Sequence, residues 1–359
     1  MIVVLVIYGL LALAELVLVI RFTQLKDESQ AKGLNDYPVS ILVCARDEEE
    51  NLPRCIESLL SSNYEMSQVE ILIGDDNSTD NTWQLIKSFE SWSSAIKGVK
   101  IQEQKDGLVA KGNVLAQLVD QASHEKVLII DADMKVSNQW ISTMCRLLNS
   151  NDLISGLTMV DKDFHRPRIQ YFDWAVVLHS MKSMSDLWQP ISILGNNMGF
   201  NKSTYERVGG FRALGPTDVE DLGILRLFQK ARIKTHQYLG VEGKAYTKAQ
   251  KGWNEMLEQR TRWINGVFTH HWVLAIPALF ARLWFLVFLV LISLGQELSY
   301  WVMLYGLVFN LIKYWQVTTK VKNRYQIGIS IPPIISLLDT FALLRIAFRG
   351  KASWKGRRF

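Results

Sequence analysis

The sequence predicts an α/β protein with a doubly wound, mainly parallel sheet, an N-terminal transmembrane anchor and C-terminal membrane or interfacial helices. Three observations predict this class. From residue 38 to about residue 265, short apolar runs alternate with amphipathic stretches, as in parallel strands joined by helices. The first twenty residues are almost wholly apolar. From Phe268 onward, aromatic residues recur at intervals typical of membrane interfaces: Trp272, Trp284, Tyr300, Trp301, Tyr305 and Trp315.

Length, charge and cysteine usage narrow the class of protein. The 359 residues allow one sizeable globular domain plus additional segments. The formal net charge is +5, and its basic residues recur at the edges of apolar segments instead of forming one tract. This favours a membrane surface over a nucleic-acid partner. Cys44, Cys55 and Cys145 have no metal-ligand spacing, which indicates buried thiols in a reducing compartment.

The N-terminal segment Met1–Ile20 is apolar apart from Glu15 and is long enough to span the hydrocarbon core. It lacks the basic start and the small-residue cleavage site of a signal peptide, which indicates an uncleaved anchor. Arg21, Lys26 and Lys32 follow it, so the positive-inside rule predicts an outside N-terminus and a cytoplasmic remainder. We expect Glu15 to face another helix.

The middle of the chain justifies the α/β class element by element. Each predicted strand is a buried apolar run, and each predicted helix has an apolar face. Asn51 and Pro53 suit the start of the first of these helices. The predicted strands are Val39–Cys44, Val69–Gly74 and the run ending at Asp131, and the predicted helices begin at Asn51, Thr82 and Lys111.

The strand that starts at Lys126 runs directly into two carboxylates, Asp131 and Asp133. Side chains two residues apart on a strand point the same way, so both carboxylates are expected to face one ligand. Two oxygen donors of this kind suit Mg2+ or Mn2+ held partly by substrate phosphates. Turn or helix-cap chemistry is the alternative for an isolated pair of this kind.

A second acidic strand end, Asp75 and Asp76, is expected at the same edge of the sheet, where α/β proteins bind ligands. Crowded carboxylates need cations or ligand donors among them, and a nucleotide with a metal-bound diphosphate supplies both. Lys111, at the start of a helix, suits the diphosphate, although a solvated surface lysine is the alternative. The glycine-rich phosphate loops of dinucleotide and P-loop sites are missing from the sequence.

Three later segments are further candidates. The loop 195–200 is rich in glycine and asparagine and either lines an acceptor site or simply turns. Asp221 either caps a helix or acts as a general base for an acceptor hydroxyl. On an apparent helix, Gln259, Arg262 and Trp263 share one face, which joins an amide, a guanidinium for a leaving diphosphate and an indole for stacking on a sugar.

Six motifs occur in one order along the chain. They are Ala-Arg-Asp-Glu-Glu (45–49), Asp-Asp-Asn-Ser-Thr-Asp (75–80), Lys-Gly-Asn (111–113), Asp-Ala-Asp (131–133), Glu-Asp (220–221) and Gln-x-x-Arg-Trp (259–263). Together they resemble membrane-bound family 2 glycosyltransferases of the GT-A fold, over about residues 38 to 265. Asp47 and Val219 stand where that family more often has Asn and Thr.

The resemblance implies roles for individual residues. The residues expected to bind a UDP-sugar donor are Ala45, Asp47, Asp75, Asp76, Lys111 and Asp131. Asp131 and Asp133 would hold a divalent ion, Mg2+ or Mn2+. The catalytic set would be Glu220, Asp221, Gln259, Arg262 and Trp263, with Asp221 as the base. Such enzymes invert the anomeric centre, so a UDP-α-sugar would give a β-glycoside.

The C-terminal part is expected to contain a membrane hairpin, Trp272–Leu294 and Leu298–Trp315. Residues 328–348 are interrupted by Pro332, Pro333, Asp339 and Arg345, so we expect them to lie along or re-enter the inner face. Residues 349–359 are expected to form a basic cytoplasmic tail. Its Trp-Lys-Gly-Arg sequence is similar to the tails of bacterial ceramide-glucosyltransferase-like members.

The predicted function is transfer of a hexose from a UDP-sugar to a membrane lipid, at the cytoplasmic face of the inner membrane. A processive polysaccharide synthase is the alternative within the same class, although few predicted spans are available for a channel. A non-catalytic nucleotide-sugar sensor is the alternative from another class. It is disfavoured because Asp133, Asp221 and Arg262 are all present.

Overall fold

The computed structural model describes residues 1–25, 37–161, 167–217, 219–349, 353–354 and 357–358. These residues form two compact units. We call Lys26–Met159 with Trp188–Lys248 the sheet unit, and Met1–Leu25 with Val160–Leu187 and Ala249–Phe359 the helical unit. Lys26, Lys32, most of the predicted basic tail and the side chain of Trp272 lie outside the described parts of the chain.

The elements follow one another in an alternating order as far as α8, and then become helical. The helices are α1 Ile2–Thr23, α2 Leu52–Leu60, α3 Thr82–Trp92, α4 Ala110–Gln121, α5 Trp140–Leu147, α6 Pro167–Leu187, α7 Lys202–Arg207, α8 Glu220–Lys230, α9 Trp253–Arg282, α10 Trp284–Ser293, α11 Leu298–Lys320 and α12 Ile331–Arg349. The strands are β1 Val39–Ala45, β2 Val69–Asp75, β3 Ile96–Lys100, β4 Lys126–Asp131, β5 Lys135–Val136, β6 Leu153–Ser155, β7 Leu157–Val160, β8 Asn197–Asn201, β9 Thr235–Gln237, β10 Lys244–Thr247, β11 Ser353–Trp354 and β12 Arg357–Arg358.

The sheet unit is built on a sheet of seven strands, counted over the described residues, in the order β3-β2-β1-β4-β8-β6-β9. Strands β3, β2, β1 and β4 are parallel, whereas β8 runs antiparallel to both β4 and β6. The order reverses direction between β1 and β4, which is the position where open α/β sheets bind ligands. The predicted α/β class with a mainly parallel sheet is therefore confirmed.

Helices cover both faces of this sheet because alternate residues of each strand point to opposite sides. On β1, Ile41 and Val43 join one apolar cluster with Ile56 of α2. Leu42 joins a second cluster with Leu115 of α4 and with residues of α8. Strands buried on both faces read as continuous apolar runs, which is why the sequence revealed β1, β2 and β4.

Four of the seven described strands of this sheet were not predicted. The glycine- and asparagine-rich segment expected to be a loop contains β8, a strand inside the sheet. Its Asn197 is fully buried, accepts a hydrogen bond from Trp140 Nε1 at 2.8 Å and donates to the Leu157 carbonyl at 3.0 Å. These partners, distant in sequence, satisfy the amide, so the polar composition of the segment gave no sign of a strand. Strands β3, β6 and β9 were also missed.

The helical unit contains α1, α6 and α9–α12. As expected, Glu15 of α1 faces another helix: its Oε2 lies 2.5 Å from Lys313 Nζ on α11. Among the described residues, two helices are long and apolar enough to cross a membrane, Ile2–Thr23 and Ile331–Phe348. A third span is possible if Ile276–Arg282 and Trp284–Ser293, which meet at 59°, form one broken crossing.

The C-terminal helices differ from the predicted hairpin. Its first arm is broken between α9 and α10 at Leu283, and its second arm, α11, is not among the candidate spans. Residues 331–349 form the continuous helix α12 despite the expected interruptions. Pro332 and Pro333 lie in its first turn, where proline is tolerated, and Asp339 is paired with arginines. This helix is one of the candidate spans, and its expected placement along or re-entering the inner face stays a prediction.

The two units are not the consecutive segments expected from the sequence. The predicted boundaries divided the chain into an anchor 1–21, a globular part 38–265 and membrane helices 266–348. In the structure, α6 groups with the helical unit although it lies in the middle of the chain, and so does the start of α9.

Candidate active site

The carboxyl ends of β1, β2 and β4 meet at one edge of the sheet. Strand register pairs Ala45 with Asp75 and Cys44 with Asp131. The acidic ends of β2 and β4 therefore flank the end of β1, at the position where the strand order reverses. This is the clustering that the sequence predicted for Asp75, Asp76 and Asp131.

Asp47 joins the loop after β1 to the loop after β2. Its backbone has φ of 52°, a left-handed conformation that Asp and Asn adopt more readily than most residues. Its Oδ1 accepts hydrogen bonds from Thr79 N at 2.7 Å and Thr79 Oγ1 at 3.1 Å, and its own N–H donates to Ser78 Oγ at 3.0 Å. Asp47 thus holds the two loops together through its side chain and its backbone.

Asp75 and Asp76 are both buried at the sheet edge. Asp75 Oδ1 accepts from Ser78 N at 3.3 Å, while its Oδ2 is buried without a hydrogen-bond partner among the described residues. A buried acceptor of this kind is expected to receive a donor from a ligand. The carbonyl of Asp76 accepts from Arg46 Nη1 at 3.0 Å, and the Arg46 guanidinium also lies 3.5 Å from its carboxylate.

Lys111 lies at the start of α4, and its amine is surrounded by acceptors. Its Nζ lies 2.7 Å from Asp131 Oδ1 and 3.3 Å from Glu220 Oε1, and it donates to the Gly195 carbonyl at 3.0 Å. Burial alone would lower the pKa of Lys111, but the two carboxylates raise it above its usual value. The lysine is therefore a fixed positive charge within the acidic edge. The surface-lysine alternative is wrong.

Glu220 and Asp221 begin α8, and both are close to this lysine cluster. Asp221 Oδ2 accepts from Gly195 N at 3.0 Å, and Oδ1 accepts from Leu222 N at 2.7 Å. Desolvation raises the pKa of Asp221, and Lys111 opposes the shift. Burial likewise raises the pKa of Glu220 to about 7, again opposed by Lys111. A carboxylate with a raised pKa is better suited to accept a proton near neutral pH.

The predicted metal pair is arranged differently from the expectation. Strand β4 ends at Asp131, so Asp133 lies in the following turn. The rule that side chains two residues apart on a strand point the same way therefore does not apply to this pair. Asp133 Oδ2 lies 3.5 Å from Thr247 Oγ1. Among the described residues, no group of three metal-ligating side chains is present. Two carboxylates fit an Mg2+ or Mn2+ ion whose remaining ligands are phosphate and water oxygens.

Gln259, Arg262 and Trp263 lie on α9 in the helical unit. All three side chains are half-buried, whereas Arg260 and Thr261 between them are buried. The indole of Trp263 meets that of Trp174 edge-on, at 5.2 Å between ring centroids and 81° between planes. The predicted helical face is therefore present, and its aromatic member is packed against α6.

The sequence analysis assigned no individual role to Gly195, which it named only within the 195–200 segment, or to Arg46, which it named only within a motif. Gly195 uses both of its backbone groups, and a Cβ at this position would lie 2.7 Å from Asp221 Cβ. The glycine at the start of the 195–200 segment was the available signal, because close backbone approach requires this residue. Arg46 was visible as a basic residue within an acidic motif.

Comparison with known proteins identifies the family. The family model "Glycosyl transferase family 2" matches residues 40–209. The model "Glycosyl transferase family group 2" matches residues 126–313, and this second match alone covers more than half of the chain. The chain belongs to glycosyltransferase family 2.

Curated relatives include a beta-monoglucosyldiacylglycerol synthase of a Nostoc species, 26% identical over 243 residues. That match covers 65% of this chain and 49% of the relative. A poly-beta-1,6-N-acetyl-D-glucosamine synthase of Staphylococcus epidermidis is 27% identical over 176 residues, which cover 48% of this chain and 41% of the relative. The chain spans about half the length, or less, of the curated relatives it matches.

Among solved structures, the mannosyltransferase PcManGT of Pyrobaculum calidifontis, in complex with GDP-Man and Mn2+, has a TM-score of 0.61 to this chain. The alignment covers 97% of this chain and 99% of that chain, at 14% sequence identity. At this identity the likeness shows the fold alone, which is GT-A.

Proposed function

We propose that this glycosyltransferase moves a hexose from a UDP-sugar to a lipid acceptor in the membrane, with inversion at the anomeric carbon. The observation that carries the proposal is the acidic sheet edge. Asp75, Asp131 and Glu220 are gathered around a site that also holds Lys111, at the strand ends where GT-A proteins take their donor.

In this proposal the nucleoside binds beside Asp75 and Asp76, next to Ala45 and Asp47. The buried, unpartnered Oδ2 of Asp75 supports this assignment, because uracil carries an N–H donor that would satisfy it. Arg46 supports it indirectly by fixing the Asp76 backbone and side chain.

The diphosphate is assigned to the neighbourhood of Lys111, Asp131 and Asp133. Asp131 and Asp133 would hold the divalent ion, which neutralises charge on the diphosphate and so favours its departure. Lys111 keeps its charge among the carboxylates and supplies a second cation there. Glu220, whose Oε1 lies 3.3 Å from Lys111 Nζ, balances part of that positive charge.

Asp221 is assigned as the general base. It takes the proton from the acceptor hydroxyl as the hydroxyl oxygen bonds to the anomeric carbon and the bond from that carbon to UDP breaks. Hydrogen bonds from Gly195 N and Leu222 N fix its orientation. Gln259, Arg262 and Trp263 are assigned to the leaving diphosphate and the acceptor on the family resemblance.

Two observations support a lipid acceptor. Over its described residues, the helical unit contains two helices long and apolar enough to cross a membrane. A relative named beta-monoglucosyldiacylglycerol synthase matches 65% of the chain. The poly-beta-1,6-N-acetyl-D-glucosamine synthase relative keeps a processive synthase as the second candidate.

The test compares lipids from cells that express the wild type, Asp133→Ala or Asp221→Asn, by thin-layer chromatography and mass spectrometry. We expect a new glycolipid with the wild type only, and its mass identifies both sugar and acceptor. Purified Asp221→Asn should bind UDP-hexose in calorimetry with unchanged affinity, because the amide keeps the shape of the carboxylate but cannot accept the proton.

Asp106→Asn is the matched control, since Asp106 is an exposed carboxylate of the sheet unit that pairs with Arg212. It should leave product formation unchanged. A sugar polymer in place of a glycolipid would favour the processive synthase. Loss of donor binding together with transfer in Asp221→Asn would mean that Asp221 is not the base.

A further inference from the structure

A closed ring of ion pairs lies inside the helical unit. Asp173 of α6 pairs through Oδ2 with Arg260 and through Oδ1 with Arg282, the latter at 2.7 Å. Asp339 of α12 pairs through Oδ1 with Arg260 at 3.1 Å and through Oδ2 with Arg282 at 2.6 Å. Each carboxylate therefore binds both arginines, and each arginine binds both carboxylates.

Three of the four side chains in the ring are buried, and the ring joins helices α6, α9 and α12. Exposure of the side chain is 6% for Asp173 and Arg260, 2% for Asp339 and 26% for Arg282. Buried ionic groups are costly to desolvate, and apolar residues of similar volume often stabilise a protein at least as well. Stability alone is therefore a weak explanation for four charges at this position, and orientation of the attached helices is a stronger one.

The ring also fixes the course of α9. Arg260 and Arg282 are 22 residues apart on this helix (282 − 260). On a straight helix that separation would be about 33 Å, too far for both side chains to reach one carboxylate. The axis of α9 is therefore not straight between Arg260 and Arg282. The ring holds the two ends of this bent helix together.

The Arg260 side chain connects the ring to the Gln-x-x-Arg-Trp motif. Its guanidinium carbon lies 5.1 Å from the ring centroid of Trp263, within the range of a cation–π contact. The same indole packs edge-on against Trp174, the neighbour of Asp173 on α6. Consecutive residues of α6 thus hold Arg260 and Trp263, one turn apart on α9.

We propose that the Asp173–Arg260–Asp339–Arg282 ring is a positioning device that sets the orientation of Trp263. Asp173 and Asp339 act through Arg260, and none of the three is assigned contact with substrate. The consequence for catalysis rests on the function proposed above, in which Trp263 acts at the acceptor. Helix α12 is a candidate membrane span. Through Asp339, the orientation of the Gln-x-x-Arg-Trp motif therefore depends on the position of α12.

The test is a double-mutant cycle on the purified full chain, with UDP-hexose and the lipid acceptor identified in the lipid analysis. Asp339→Asn should lower kcat at least about ten-fold and change the KM for the donor less than about three-fold. The reason is that the residues assigned to the nucleoside, and Lys111, belong to the sheet unit. In a protein that already carries Trp263→Phe, adding Asp339→Asn should lower kcat by less than a further factor of about three. The reason is that the effect of Asp339 passes through the indole, which that protein lacks.

Arg345→Gln is the matched control. Arg345 of α12 pairs with Glu258 of α9 at 2.9 Å, so the variant removes an ion pair between the same two helices without touching the ring. It should leave kcat and KM within about two-fold of the wild type. Asp339→Glu, which keeps the charge but displaces it, guards against misfolding of Asp339→Asn and should lower kcat at an unchanged midpoint of thermal unfolding.

A second readout does not need turnover: oxidation of Trp263 by N-bromosuccinimide, followed by peptide mass spectrometry. Oxidation should be several-fold faster in Asp339→Asn than in the wild type or Arg345→Gln. Additive effects on kcat, or equal oxidation rates, would overturn the positioning role. A third outcome is that Trp263 oxidises faster in the ring variant but the wild type transfers no sugar. That outcome would overturn the proposed function and leave the positioning role standing.

Discussion

At the scale of single residues, Gly195 is the link between the lysine and the proposed base of the candidate site. Its carbonyl accepts from Lys111 and its N–H donates to Asp221, both at 3.0 Å. The N–H and the carbonyl of Gly195 therefore set the spacing between the Lys111 amine and the Asp221 carboxylate. The close approach is possible because glycine has no Cβ.

Gly195→Ala should lower sugar transfer about ten-fold or more. The added Cβ would lie 2.7 Å from Asp221 Cβ and 2.8 Å from its Oδ2, so the carboxylate has to move away from its donor. Initial rates at saturating donor measure the effect, and thermal unfolding reports whether the fold persists.

Gly112→Ala is the control for that variant. Gly112 adjoins Lys111 on α4, but a Cβ there would meet only Glu220 Cβ, at 3.8 Å, which is an ordinary contact. We expect transfer within about three-fold of the wild type. Equal losses in the two variants would show that crowding at Asp221 is not the cause.

The residues of the site were predictable to different degrees. Asp75 and Asp131 could be assigned to one edge because a strand ends where its apolar run meets charge, and parallel strands end together. The ion pair of Lys111 with Asp131 could not be predicted, because it depends on how α4 packs against the sheet. Asp133 was misplaced on the strand because the sequence does not mark the residue at which strand pairing stops.

At the scale of elements, the sequence revealed those whose local pattern and buried environment agree. Helix α3 was expected from Thr82 and begins there. Strand β8 was hidden because its polar residues are satisfied by distant partners such as Trp140. The continuity of α12 was misjudged because Pro332 and Asp339 look disruptive in isolation. The proline is accommodated by its position in the first turn, and the carboxylate by pairing with arginines.

The pairing of α1 with α11 yields a prediction at this scale. Glu15 and Lys313 are both buried, 2.5 Å apart, and Lys313 Nζ also donates to Ser180 Oγ of α6 at 3.2 Å. Lys313→Met leaves the Glu15 carboxylate buried without its cation. We expect the free energy of unfolding in detergent to fall by about 3 kcal/mol.

Adding Glu15→Gln to Lys313→Met should restore most of that loss, because the uncompensated charge is then gone. The exposed pair of Lys87 with Glu90 on α3 is the control, and Lys87→Met should change stability by less than about 1 kcal/mol. Simple addition of the two single losses at Glu15 and Lys313 would contradict a direct pair.

At the scale of the whole molecule, the chain leaves the sheet unit and returns to it. Helix α6 lies between β7 and β8 in sequence, yet it packs within the helical unit, where Phe172 stacks on Tyr314 and His179 on Phe22. A boundary read from composition misses this insertion, because α6 is only moderately apolar and does not look like part of a membrane-associated unit.

A fragment of residues 38–265, the globular part expected from the sequence, should therefore fail to give a soluble, monodisperse protein. It keeps α6 but lacks α1 and α11, so Phe172 and His179 lose the rings of Tyr314 and Phe22 that cover them. Exposed apolar surface of this kind drives association. Size-exclusion chromatography of this fragment, beside the full chain in the same detergent, measures the effect.

A longer fragment, residues 1–320, restores both partners and should elute closer to the full chain. A monodisperse 38–265 fragment in detergent-free buffer with full transfer activity would mean that α6 belongs with the sheet unit in solution.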